Sequence, residues 1–178
     1  MSIKKIILIL LAIVAFNIDA RSQTQSELDE YLLKAAFIYR FTDYVEWQNP
    51  GESDVFTIGI LGDSPISNPL LAMAKDKKAK NKTMVIRQNE DINALDGCQL
   101  IFMPRRSSHA LELVIAKLAG KNILIVTEQP GSLKIGAQIN FITFDKLRFE
   151  VNIIAARSAG LKLSSQLLQH AYRVVGNE

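Results

Sequence analysis

Three short segments place charged side chains where α/β proteins hold their ligands: Gly62-Asp63-Ser64-Pro65, Arg105-Arg106 and Glu128. Each follows an apolar run that reads as a strand, and the crevice beyond such strand ends is the usual ligand side of an open α/β sheet. Two guanidinium groups beside a helix start at Ser107-Ser108 suit an anion, and Glu128 on the same edge suits the task of orienting one of them. Asp63, Arg105 and Glu128 are therefore the candidate ligand-binding residues, with a small anion as the ligand. The same segments also read without any ligand, as a Gly/Pro turn capped by Asp63 and as solvated arginines.

Catalytic chemistry finds less support. Gly62-Asp63-Ser64-Pro65 is not G-x-G-x-x-G, and no G-x-x-x-x-G-K-[ST] occurs. A serine or cysteine nucleophile needs a base within reach and a third group to orient it. His109 and His170, the only two histidines, sit in predicted helices outside any G-x-S-x-G, S-x-x-K or H-E-x-x-H pattern. With those two histidines and the single Cys98, the chain cannot build a His-rich or multi-cysteine metal centre or an intrachain disulfide. Glu27, Asp29 and Glu30 read as first-turn helix charges. No cofactor and no metal are expected, and the expected function is binding, with no catalysis.

The elements that must position these residues follow from periodicity. Ser26 through Gln48 reads as a first helix, started by Ser26 with Asp29 and stopped by Asn49-Pro50-Gly51. Its apolar stripe runs through Leu28, Leu32, Ala35, Tyr39 and Thr42, widened by Ile38, Phe41 and Val45. Strands are predicted over 54–61, 84–87, 99–103 and 122–127. Short helical segments are predicted from Asn68-Pro69 to Lys75, over 92–95 and over 110–119. The unalternating runs Ile58-Gly59-Ile60-Leu61 and Ile123-Leu124-Ile125-Val126 suit parallel strands covered on both faces. Past Pro130, 139–144 and 147–151 alternate and flank Asp145-Lys146, which fits an antiparallel hairpin. Helical segments from Ala155 to Gly160, and from Ser164-Ser165 to near Val175, close the chain. The fold class is α/β: a single domain with a mostly parallel central sheet flanked by helices and an antiparallel edge hairpin.

Tyr31, Phe37, Tyr39, Phe41, Tyr44 and Trp47 all fall in the predicted first helix and go around more than one face. A helix apolar on most sides is buried on most sides, in its own core or against another chain. Tyr44 and Trp47, with Glu46 between them, are the candidate partner-binding residues, the partner being another protein or a second copy of this chain. Lys75, Lys77, Lys78, Lys80 and Lys82 form a basic run opposed by Asp76 alone. It contains no aromatic residue on which bases could stack, so a solvated loop is the expectation, with anionic lipid headgroups as the alternative.

Composition sets the outer limits. The chain has 178 residues, is 48% hydrophobic and 22% charged, and carries a formal net charge of +3. Those values describe one globular domain and argue against disorder and against a nucleic-acid-binding face. Lys4-Lys5 precede an uncharged apolar run from Ile6 to Phe16, which as a helix rises about 16 Å, short of a hydrocarbon core of about 30 Å. With Ile18-Asp19-Ala20 behind it, residues 1–20 read as a secretory signal cut near Ala20. The mature chain from Arg21 is expected in the periplasm, with Cys98 buried as a small hydrophobe.

Several segments resemble the YfiR-like family of exported bacterial proteins. They are Lys34-Ala35-Ala36-Phe37-Ile38-Tyr39-Arg40-Phe41 with Val45-Glu46-Trp47, then Ile58 to Asp63, Cys98 to Phe102, and Ile123 to Thr127 through Gly136 to Ile139-Asn140-Phe141. Leu147 to Asn152 and Ala159 to Leu168 complete the set in order. The resemblance implies a periplasmic α/β domain without catalytic activity. It would bind the periplasmic sensor region of an inner-membrane diguanylate cyclase, repressing it and lowering cyclic di-GMP and biofilm formation, or bind a sensor kinase in its place. Two positions depart from the family's pattern. Paired cysteines are reduced to Cys98, so disulfide-based redox control does not carry over, and Gly136 is followed by Ala137 where relatives have a second glycine.

Overall fold

The structure, a computed structural model, describes residues 25–48 and 53–176. The leader expected over residues 1–20 and the Asn49-Pro50-Gly51 stop lie outside the described residues.

Apolar runs without polar interruption become the centre of the sheet. Strands β2 (Val55–Leu61), β5 (Leu100–Met103) and β6 (Leu124–Thr127) lie side by side and parallel. Successive side chains point to opposite faces, so each run feeds two cores. Leu100 and Phe102 face the cluster that holds Ala35, Ile38 and Phe41 of helix α1 (25–44), Leu70 of α2 (Ser67–Asp76) and Leu167 of a late helix. Ile101 and Met103 face the cluster built on Leu111, Val114 and Leu118 of α3 (Leu111–Leu118). Gly59, mid-strand in β2, makes room on that second face: a Cβ there would stand 3.0 Å from the Cys98 sulfur.

Among the described residues eight strands form the main sheet. Outside β2 lie β4 (Lys82–Asn89), parallel to it, and the two-residue edge β3 (Lys78–Ala79). Outside β6 lie β7 (Ile139–Thr143) and β8 (Leu147–Asn152), the antiparallel hairpin that the alternation predicts. Helices α4 (Ser132–Ile135) and α5 (Ile153–Ser158) flank this half. Ala137, the departure from the family's second glycine, is completely buried at the start of β7 and has no positive φ. The mostly parallel α/β sheet with its antiparallel hairpin is the architecture expected.

Three local expectations change. The first helix ends at residue 44, and Val45–Trp47 is strand β1, paired antiparallel with β9 (Leu161–Leu163). Val45 and Trp47 point in while Glu46 points out, and the Ser164 N–H donates to the Tyr44 carbonyl at 2.9 Å. An apolar spacing of two is strand spacing, and the pairing with β9 prevails over continued helix. The lysine run is likewise not a loop. Lys75 stands in the last turn of α2, and from Lys78 the run forms the β3–β4 hairpin around Lys80 and Asn81, whose φ values of 54° and 63° are those of a two-residue mirror-image turn. Finally, α6 (Ser165–His170) stops early and Arg173–Val175 forms β10, parallel to β8 on its outer side. Ser164 caps α6 as expected, its hydroxyl accepting from the Leu167 N–H.

The buried face of α1 also differs. Leu28 and Leu32, placed on the inward stripe by periodicity, are 46% and 52% exposed. Ala35, Ile38, Phe41 and Thr42 of that stripe are buried as expected, and Lys34 joins them on the inward face. Phe41 packs between Phe141 and Phe149, with ring centroids 5.8 Å and 5.1 Å away. Near its N-terminus α1 meets a polar partner, since Tyr31 and Lys34 both hydrogen-bond to Glu128, while Leu28 and Leu32 face outward.

Candidate functional site

The C-terminal ends of β2, β5 and β6 open into a cleft of about 750 Å³ that Asp63, Arg105 and Glu128 all line. Each sits just past its strand: Asp63 after Gly62, Arg105 after Pro104, Glu128 after Thr127. Gly62 has φ +88°, and a Cβ on it would stand 2.6 Å from the Ser107 hydroxyl, which donates to the Leu61 carbonyl at 2.6 Å. That close approach draws the end of β2 against the 3-10 turn Arg105–Ala110, bringing Asp63 and the two arginines to one rim. Asp63, Arg105 and Arg106 are all exposed.

Glu128 has a different role from orienting a guanidinium. Its carboxylate is only 6% exposed and accepts three hydrogen bonds: from the Arg105 backbone N–H at 3.0 Å, the Tyr31 hydroxyl at 3.2 Å and Lys34 Nζ at 2.6 Å. Lys34, 5% exposed, also reaches Glu30 at 2.6 Å and lies 4.5 Å from the Tyr31 ring centroid. The carboxylate thus takes the first N–H of the turn after β5, the place a small anion would occupy. Burial, followed by the negative charge of Glu128 and the hydrogen bond to it, raises the Tyr31 hydroxyl well above the usual tyrosine range. The cluster pins α1 across the strand ends.

Periodicity alone did not assign Lys34 and Tyr31 to the site. The signal was present: Lys34 sits on the same face as Ile38 and Phe41, a charge inside a buried stripe, and such a charge needs a buried partner. A second polar chain lies beside the first. The Thr127 hydroxyl donates to Asn140 at 2.8 Å, Asn140 donates to Glu150 at 3.4 Å, and Arg173 holds Glu150 through Nε at 2.7 Å and Nη2 at 2.6 Å. Glu150 and Arg173 share a pocket of about 250 Å³ with Lys34, Arg105 and Glu128, so the two chains meet.

The partner-binding candidates do not form one surface. Trp47 is 9% exposed, its indole Nε1 donates to the Gln99 carbonyl at 3.0 Å, and its ring meets Phe56 edge-on at 5.2 Å. Glu46 is exposed on the other side of β1 and pairs with Lys162 at 3.2 Å. Tyr44 lines a groove of about 340 Å³ between α1 and α6, with Phe37, Arg40, Phe41, Phe149, Leu167 and His170. Cys98 is buried, as expected, and burial pushes its thiol up to about 11.

Chemically, the strand-end cleft can recognise charge, because arginines and carboxylates face it around a neutralised floor. His109 turns its Nδ1 to the Arg106 carbonyl, and the Ser107 hydroxyl is taken up by Leu61. Among the described residues no group of three His, Cys, Asp or Glu is arranged to hold a metal, and no helix is long and apolar enough to cross a membrane.

A mostly parallel sheet flanked by helices, with a charged cleft at its strand ends, defines a mixed α/β domain. The chain belongs to the YfiR/HmsC-like family, whose profile matches residues 31–172. That family consists of periplasmic regulators associated with membrane diguanylate cyclases, not of catalysts. Solved structures share the fold at low identity. An ABC domain from Streptococcus pneumonia, solved in complex with L-Trp, matches with a TM-score of 0.51 and 11% identity over 67% of this chain and 55% of that one. A conserved domain protein from Vibrio cholerae O1 biovar El Tor matches with a TM-score of 0.53 and 12% identity over 81% of this chain and 60% of that one. The chain therefore spans less than two thirds of either neighbour, and the likeness is one of fold. No curated protein matches it.

Proposed function

We propose that this protein binds the periplasmic sensor region of an inner-membrane diguanylate cyclase and represses it, lowering cyclic di-GMP. The observation that carries the reading is the apolar groove between α1 and α6, in which Tyr44 stands among Phe37, Phe41, Phe149 and Leu167, with Arg40 and His170 at its margins. Aromatic residues with a polar tip, set in an apolar groove with flanking charges, are the usual anchors of protein interfaces. Glu46 follows Tyr44 by two residues and presents its charge outward, while Trp47 holds β1 in place from behind. A soluble regulator of this kind acts by binding one conformation of its receptor more tightly than the other, and the difference in affinity sets the shift.

Tagged protein incubated with solubilised inner membranes is expected to retain a cyclase with a periplasmic segment. Tyr44→Ala should weaken that complex by roughly thirtyfold, the scale of a central aromatic anchor of about 2 kcal/mol, and raise cyclic di-GMP in the producing cell. Undiminished retention by a folded Tyr44→Ala protein would remove the groove from the account.

A second reading has its own support in the cleft where Asp63, Arg105 and Glu128 converge: a sensor for a small charged ligand that releases or recruits the partner. The Streptococcus domain with a similar fold was solved with L-Trp bound. Because the Glu128 carboxylate is already engaged, anion contact falls to the Arg105 and Arg106 guanidinium groups. A saturating ligand from a panel of anionic metabolites is expected to raise the melting temperature, since binding to the folded state alone stabilises it. Arg105→Ala should abolish the rise, and a flat response across the panel counts against the sensor.

A further inference from the structure

The sheet edge farthest from β10 carries a cluster of exposed lysines. Lys75 stands near the end of α2, and Lys77, Lys78 and Lys80 follow through β3 and its turn; all four are exposed. Lys75, Lys78 and Lys80 make no ion pair among the described residues, while the Lys77 ammonium lies 5.2 Å from the Tyr39 ring centroid. Asp76 is the only acid between residues 75 and 82. The two-residue turn fixes the hairpin, and the Tyr39 hydroxyl donates to the Lys78 carbonyl at 3.3 Å, so the backbone that carries the lysines is held in place. Leu71, one turn before Lys75 on the same side of α2, is 48% exposed.

We propose that this edge docks on an anionic bilayer surface, with the lysines among the headgroups and Leu71 entering the interface. Lysines near an anionic leaflet each add attraction that fades within a Debye length, so several held on one outer edge act together. Other occupants fit less well. With two residues in β3 and lysines around it, the edge is guarded against a further strand. No aromatic residue lies between 75 and 82 to stack a base. The inference does not depend on which receptor the protein regulates, and it would hold the regulator at the surface where a membrane receptor stands.

The test is co-sedimentation of the full-length protein with phosphatidylcholine vesicles and with the same vesicles containing phosphatidylglycerol, at low and high salt. Any contribution of the apolar N-terminus is common to all variants, so the comparison isolates the edge. Wild type is expected to prefer phosphatidylglycerol, with the preference lost at high salt. The triple variant Lys75→Glu/Lys78→Glu/Lys80→Glu should bind those vesicles about a hundredfold or more weakly, given roughly fivefold for each of the three lysines lost from an anionic surface. A control of equal charge change at exposed positions elsewhere, Lys134→Glu/Lys146→Glu/Arg157→Glu, should keep most of the binding. Equal loss in both triple variants would mean that net charge alone acts, and no preference for phosphatidylglycerol would mean that nothing docks; either overturns the proposal. Retention on immobilised polyglutamate without vesicle binding would assign the edge to an acidic protein and overturn it too.

Discussion

Lys34→Met is expected to destabilise the protein by about 3–5 kcal/mol, the cost of leaving a buried carboxylate without its cation. Lys34 and Glu128 are both more than nine-tenths buried and meet at 2.6 Å, so the carboxylate loses its closest cation when Lys34 is removed. At roughly 2–4 °C per kcal/mol for a chain of this size, the melting temperature should fall by about 10 °C. The double variant Lys34→Met/Glu128→Gln should recover at least half of the loss. Glutamine keeps an oxygen for the Arg105 N–H, where Glu128 accepts at 3.0 Å, while removing the orphaned charge. Chemical denaturation of the three proteins checks this directly. A single variant within about 1 kcal/mol of wild type, below the range for a broken buried pair, would show that the cluster does not clamp α1 to the strand ends.

Trp47→Ala carries the second large effect. The indole is buried against Phe56 and donates to the Gln99 carbonyl, which also receives the Leu124 N–H at 3.0 Å. Truncating a buried aromatic of this size costs about 3–5 kcal/mol. Trp47→Phe retains ring packing and gives up the hydrogen bond, for about 1–2 kcal/mol. The pair of variants separates folding from partner contact. If Trp47 serves as a prop for β1, the Phe variant should fold and still retain the membrane partner, whereas the Ala variant should lose partner binding only to the extent that it unfolds. A stable Trp47→Ala protein that binds no partner would instead place the indole in the interface itself.

These two residues also mark how far the sequence could be read. The parallel centre of the sheet was legible because Ile58-Gly59-Ile60-Leu61 and Ile123-Leu124-Ile125-Val126 carry no polar residue, a pattern that suits strands covered on both faces. The hairpin of β7 and β8 was legible from its alternation, and the strand-end location of Asp63, Arg105 and Glu128 from their place just after such runs. The helix of residues 25–44 was legible too, except for its end, because Val45-Glu46-Trp47 is compatible with either period until β9 arrives from more than a hundred residues away.

What the order of residues determined by itself was therefore local: which stretches are apolar on one face or two, where turns must fall, and which charged groups stand at strand ends. Only the tertiary structure decided which charges are buried together. Glu128 could not be known to close on Lys34 and Tyr31, ninety-odd residues upstream, because that pairing depends on which face of α1 packs against the strand ends. The same packing turns Leu28 and Leu32 outward and the basic amine inward. Periodicity fixes the faces of a helix relative to one another; packing against a distant surface selects the one that is buried, and only that selection converts a charge on α1 into part of a site.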